Sequence, residues 1–179
     1  MKSKTLDMTM IALMTVVIII CSQIMIPMTI PFSLQTFAVF AALRILGGLR
    51  GTVSVALYLL MGAAGLPVFT GFQGGVHRLL GPTGGYLAGF LLTALIYWLF
   101  EKQAEKGLVR KWIVMIAGLL ACYAAGTAWF AARYANGRTV WAILMLCVVP
   151  FVLPDLVKLV LADLVGSRVR KQLKKSERA

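Results

Sequence analysis

Val149-Pro150-Phe151-Val152-Leu153-Pro154-Asp155-Leu156-Val157-Lys158-Leu159-Val160-Leu161-Ala162 carries a carboxylate and an ammonium three residues apart in an otherwise apolar run. On a helix that spacing puts both charges on one face. At bilayer depth an ionisable side chain costs about 2.5–3.5 kcal/mol on insertion scales, so such a face turns from lipid toward a bundle interior or a polar cavity. Asp155 and Lys158 therefore read as the floor of a binding site. The same spacing also fits an intrahelical ion pair that only neutralises itself.

The rest of the chain supports the membrane setting. Of 179 residues, 60% are hydrophobic and only 13% charged, a composition of multi-pass membrane proteins. A transmembrane helix takes about 20 apolar residues, which leaves room for five or six spans in one domain (1–179) with a basic tail from about residue 167. The net charge of +12 sits at the ends of apolar runs, without the aromatic-interleaved basic surface that binds nucleic acid. The basic residues act as topology signals, with anionic lipid headgroups as their partner. Cys21, Cys122 and Cys147 stand singly within apolar runs and read as small buried hydrophobes. Lys2 and Lys4 precede an apolar run without a small-residue cleavage site, which predicts an uncleaved first span.

Spans are predicted at about Met8–Ile26, Phe37–Leu46, Gly51–Leu66, Pro82–Phe100, Trp112–Ala132 and Thr139–Val165, the last bent at Pro150 and Pro154. Two connections stand out. The uncharged Pro27–Thr36 segment has two prolines and ends on Gln35 and Thr36, so it reads as an apolar loop folded back over something. Pro67–Pro82 is glycine-rich and brings backbone close to a ligand. Gly81, Gly85 and Gly89 repeat every four residues, as do Gly118, Cys122 and Gly126, the small-residue stripe that lets membrane helices approach closely. Placing Lys2, Lys4, Arg44, Arg50, Lys102, Lys106, Arg110, Lys111 and the basic tail on one side leaves Arg78, Arg133 and Arg138 on the other. The positive-inside rule then puts both termini in the cytoplasm and both special loops outside.

Catalysis has no foothold in the sequence: there is one histidine, no HExxH and no GxSxG, and nothing marks a metal or cofactor site. A phosphate-binding GxxxxGK[ST] is also missing, so energy for uphill movement must come from a partner or an ion gradient. Asp163 lies near the cytoplasmic end of the last span and reads as interfacial or partner-facing. What remains is a capture protein with Asp155 and Lys158 below, Gln73 of the glycine-rich loop at the side and Gln35 above. Phe32, Phe72, Tyr86, Tyr123 and Trp129 are candidates either for its apolar walls or for packing.

Leu57-Tyr58-Leu59-Leu60-Met61-Gly62-Ala63-Ala64-Gly65-Leu66-Pro67-Val68-Phe69, Gly71-Phe72-Gln73-Gly74-Gly75, Gly81-Pro82-Thr83-Gly84-Gly85-Tyr86-Leu87, Gly126-Thr127 with Trp129, and Pro154-Asp155 with Lys158 together resemble the BioY family. These are the biotin-binding S components of energy-coupling factor (ECF) transporters, and the resemblance runs from about Pro27 to Ala162. It implies an all-α fold of six transmembrane helices in a bacterial or archaeal cell membrane. It also implies biotin capture from outside as cargo, with uptake driven by a transmembrane T component and a pair of ATP-binding-cassette ATPases. Carried over by motif, Asp155 and Lys158 meet the ureido ring. Gln73 and Gly74 belong to the glycine-rich loop beside the ligand, Gln35 to the gating loop, Tyr86 to the glycine-rich signature, and Trp129 to the Gly126-Thr127 motif.

The chemistry suits that ligand, because a ureido group offers two N–H donors and one carbonyl acceptor to a carboxylate beside an ammonium. Those two charges cancel, so the valerate carboxylate needs another cation, with Arg78, Arg133 and Arg138 as candidates. Some family members carry an arginine directly after the glycine-glycine-tyrosine signature, where this chain has Leu87. The expectation is that Arg78 supplies the contact instead, the other reading being a solvent-facing loop arginine; His77 reads as a loop residue. S components tend to dock through an Ala-xxx-Ala face on the first span, which here becomes Ala12 and Val16. Two competing readings predict different behaviour: an ion-coupled or solitary carrier gives gradient-dependent flux by the chain alone, and a scaffold gives neither flux nor binding.

Overall fold

The computed structural model describes residues 4–27, 32–135 and 137–176. Lys2, the middle of the first loop (28–31), Asn136 and residues 177–179 lie outside the described residues. The described chain runs α1 (Lys4–Gln23), β1 (Met25–Ile26), β2 (Phe32–Ser33), α2 (Gln35–Leu46), α3 (Gly48–Ala63), α4 (Val76–Leu80), α5 (Gly84–Leu99), α6 (Glu101–Ala104), α7 (Leu108–Tyr134), α8 (Val140–Cys147) and α9 (Val149–Ser176). It is a mostly helical membrane protein. Lys4–Gln23, Leu108–Tyr134 and Val140–Leu173 are long and apolar enough to cross a bilayer, and three shorter apolar helices, Gln35–Leu46, Gly48–Ala63 and Gly84–Leu99, pack among them.

Leu13, Ile20, Leu120, Leu153 and Val157 stay exposed. Lipid covers such a surface, whereas water would make it an aggregation site. Inside, short hydroxyl side chains reach carbonyls of neighbouring helices. Thr15 on α1 donates to the Ser54 carbonyl (3.2 Å), Thr52 on α3 to that of Ala94 (3.1 Å), and Thr93 on α5 to that of Gly118 (2.7 Å). Such bonds are worth on the order of 0.6–2 kcal/mol in membranes.

The two small-residue stripes face each other across α5 and α7. A methyl on Gly85 would meet Trp129, one on Gly126 the Tyr86 ring, one on Gly118 the Thr93 side chain, and one on Gly89 would lie 2.9 Å from the Cys122 Cα. Gly81 does not belong to this stripe as expected, because α5 begins only at Gly84 and Gly81 instead caps α4.

One further expectation is corrected. The fold is not purely helical: the first loop is a hairpin whose ends pair antiparallel, Met25 with Ser33 and Ile26 with Phe32. The last span breaks just ahead of Pro150. Pro150 offers no N–H to the Leu146 carbonyl and its ring would crowd that group, so the helix breaks at Val148 (φ −125°, ψ −57°). Pro154 stays inside α9.

Candidate functional site

The hollow lies where the β1–β2 hairpin, the start of α2 and the loop after α3 meet α5, α7 and α9. Ser33, Gln35, Thr70, Arg78, Tyr86, Tyr123, Asp155 and Lys158 contribute to its lining. Its empty space, open mouth included, is about 680 Å³.

The floor is the α9 ion pair. Asp155 and Lys158 are 4% and 5% exposed, and Lys158 Nζ donates to Asp155 Oδ1 at 2.8 Å. Tyr123 on α7 donates its hydroxyl to Asp155 Oδ2 at 2.7 Å. The Ser33 carbonyl of β2 accepts from Lys158 at 2.7 Å, and the ammonium lies 3.8 Å from the Phe32 ring centre. The hairpin thus folds back onto the floor, and Phe32 also stacks on Phe151 at 6.3 Å. A buried charge pair is tolerated when further hydrogen bonds satisfy it, and these contacts supply them.

The wall is built by the two features sequence pattern does reveal. The glycine stripes bring Tyr86 into the α5–α7 seam, and the break at Val148 supplies its partner. Phe151 N–H bonds Val148 O at 2.9 Å, which leaves the Cys147 carbonyl free, and the Tyr86 hydroxyl donates to it at 3.0 Å. Above, Gln35 opens α2. Its Oε1 accepts from Ser33 (3.1 Å) and Thr70 (3.3 Å), and its Nε2 donates to the Tyr58 hydroxyl.

Asp155, Lys158, Gln35, Tyr86 and Arg78 therefore converge on one hollow. Gln73, Gly74 and Trp129 do not. Gln73 is exposed, its backbone paired with Phe69 in both directions (2.8 and 3.2 Å). Gly74 lies against the Leu66 carbonyl, where a methyl would collide. Trp129 donates Nε1–H to the Gly81 carbonyl at 3.0 Å and lies under the Arg133 guanidinium at 4.5 Å, so it secures the α4–α5 turn. Phe72 points outward at 74% exposure. Among the described residues the cations lining the hollow are Arg78 and Lys158; with Asp155 they leave a net single positive charge, fit for a monoanion. Sequence reading missed Ser33, Tyr58 and Thr70, since single hydroxyls in loops or helices give no periodic signal.

At the other end of the bundle Asp163 is not interfacial. It is buried, accepting from Arg44 Nε at 2.7 Å and Lys111 Nζ at 2.5 Å, while Arg44 also donates to the Tyr97 hydroxyl at 3.0 Å. An isolated carboxylate there would be prohibitive, and two basic residues from α2 and α7 remove the penalty. Ala12 and Val16 both lie exposed on α1.

A bundle of apolar helices with a hollow over a buried ion pair defines a substrate-binding membrane protein of the transport type. Residues 1–175 match the BioY family, and the chain belongs to it. It is 41% identical to the biotin transporter BioY of Thermotoga maritima over 88% of this chain and 91% of that one. With the probable biotin transporter BioY of Pyrococcus horikoshii it shares 34% identity over 95% and 98%. The crystal structure of the S component for biotin from an ECF-type ABC transporter superposes with a TM-score of 0.84 at 30% identity, covering 96% of this chain and 95% of that one.

Proposed function

We propose that this chain is the S component that captures biotin for an ECF-type ABC transporter in a bacterial or archaeal cell membrane. It forms a single six-span domain, α8 and α9 together making the last crossing. Both termini are cytoplasmic, and a basic tail follows from about residue 167. The hollow then opens outward. The charge distribution supports this orientation, with Lys4, Lys102, Lys106, Arg110, Lys171 and Lys175 exposed in segments assigned to the inner side.

The observation that carries the reading is the buried Asp155–Lys158 pair, held by Tyr123 and Ser33 at the base of a hollow in a BioY-family chain. Asp155 has acceptor capacity beyond its two bonds for the ureido N–H groups, and Lys158 has the donor for the ureido carbonyl. Tyr86, Phe90, Leu119 and Phe151, which also line the hollow, give the thioether ring and valeryl chain apolar cover. Arg78 takes the carboxylate. Gln35 faces the ligand from above, whereas Gln73, Gly74 and Trp129 shape the surrounding loops. A transmembrane T component docking on the Ala12–Val16 face, with two ABC ATPases, supplies the driving force.

Calorimetry of the purified chain with biotin tests this. Tight one-to-one binding is expected from the wild type, and absence of binding would overturn the function. Asp155→Asn should weaken binding at least a hundredfold, since a lost charged hydrogen bond and an unpaired ammonium act together; unchanged affinity would remove Asp155 from the ureido contact.

A further inference from the structure

Gln23, the last residue of α1, lines no part of the hollow, yet its carboxamide binds the loop that does. Its Nε2 donates toward the Val68 and Phe69 carbonyls, each at 3.2 Å, and its Oε1 accepts the Phe72 N–H at 2.9 Å. The Ser22 hydroxyl donates to the same Val68 carbonyl at 2.7 Å and accepts from Gln23 Nε2 at 2.7 Å. One side chain thus binds three backbone groups between Val68 and Phe72.

Within that loop Phe69 and Gln73 pair through their backbones, and Gln23 binds the turn between them. Phe72 has φ +54°, a left-handed conformation uncommon for a bulky non-glycine residue, and its ring, being exposed, does not anchor it. The clamped segment delivers two side chains to the hollow, the Phe69 ring and Thr70. Thr70 in turn donates to Gln35 Oε1 at 3.3 Å, Ser33 donates to the same oxygen at 3.1 Å, and one Gln35 N–H goes to Tyr58. Both lone pairs of that oxygen are then used. What Gln35 has left is its second N–H, on a residue that lines the hollow.

Building on the biotin reading above, we propose that Gln23 is a positioning residue for ligand binding. It fixes the Val68–Phe72 segment so that Thr70 orients the Gln35 amide and leaves one N–H directed at the ligand. The proposed route runs through Thr70 and Gln35 and not through Phe69, whose ring is seated independently on Gly62 and against Tyr58, and this separates the role from general stabilisation of the fold.

A double-mutant cycle on the full chain in detergent, read as the biotin dissociation constant, tests the assignment. Gln23→Ala and Thr70→Val should each weaken binding about tenfold, the scale of one hydrogen bond in a buried site. The double variant should be no weaker than the poorer single variant. Wild-type affinity in Gln23→Ala, or effects that multiply, would overturn the proposal while leaving biotin binding by the wild type, and so the function, intact. If Gln23→Ala does not fold, Gln23→Met carries the same cycle, because it keeps the bulk of the side chain and removes its hydrogen bonds to Val68, Phe69 and Phe72.

Discussion

Lys158 makes three kinds of contact, to Asp155, to the Ser33 carbonyl and to the Phe32 ring, and the charges are legible as residues of a site only because each is buried with its opposite. Removing one partner leaves the other charge uncompensated in the bundle, at a cost of about 3–5 kcal/mol. Lys158→Met alone should therefore lower the thermal midpoint, whereas Asp155→Asn with Lys158→Met should recover most of it and still fail to bind biotin. A double variant as unstable as the single ones would mean that the pair serves packing. Arg78 poses a separate question of ligand charge. Arg78→Ala should lose about ten- to a hundredfold in biotin affinity, the worth of a charge-assisted contact, and leave the affinity for biotin amide unaltered. Equal losses for both ligands would remove Arg78 from the carboxylate.

Helices meet here wherever small residues permit, and that much can be read directly: Gly85, Gly89, Gly118 and Gly126 mark the α5–α7 seam through their spacing alone. Gly62 is a less obvious case. It sits on α3 where the Phe69 ring rests, so that a methyl would fall within the ring. Phe69 and its loop would have to move. Gly62→Ala is expected to cost about 1–3 kcal/mol as an overpacked core change and to weaken biotin binding through displacement of Phe69, measured by thermal midpoint and calorimetry. The bend at Pro150 was also visible, because a missing N–H is a local property. The β1–β2 pair was not, since two residues per strand carry no alternation to detect. Nor was the burial of Asp163: a carboxylate near a helix end looks interfacial until α2 and α7 bring Arg44 and Lys111 to it, contacts spanning 119 and 52 positions of sequence.

For the whole molecule, the same logic separates capture from movement. The hollow and the α1 face lie on different surfaces: Ala12 and Val16 contribute nothing to the hollow's lining, and Val16 is 49% exposed. Single-sequence reading reached this division through charge distribution and the missing nucleotide motif, but only helix packing distinguishes Val16 from buried neighbours such as Met14 and Ile18. If the T component docks here, a bulky ring should block close helix approach without touching the ligand. Val16→Trp, reconstituted with the T component and ATPases in liposomes, is expected to retain wild-type biotin affinity and lose most ATP-driven uptake, because membrane helices associate through close backbone packing that a large side chain prevents. Undiminished uptake would place the docking surface elsewhere on the bundle, and a parallel loss of affinity would mean that α1 reaches the ligand through Ser22 and Gln23 even when its docking face alone is altered.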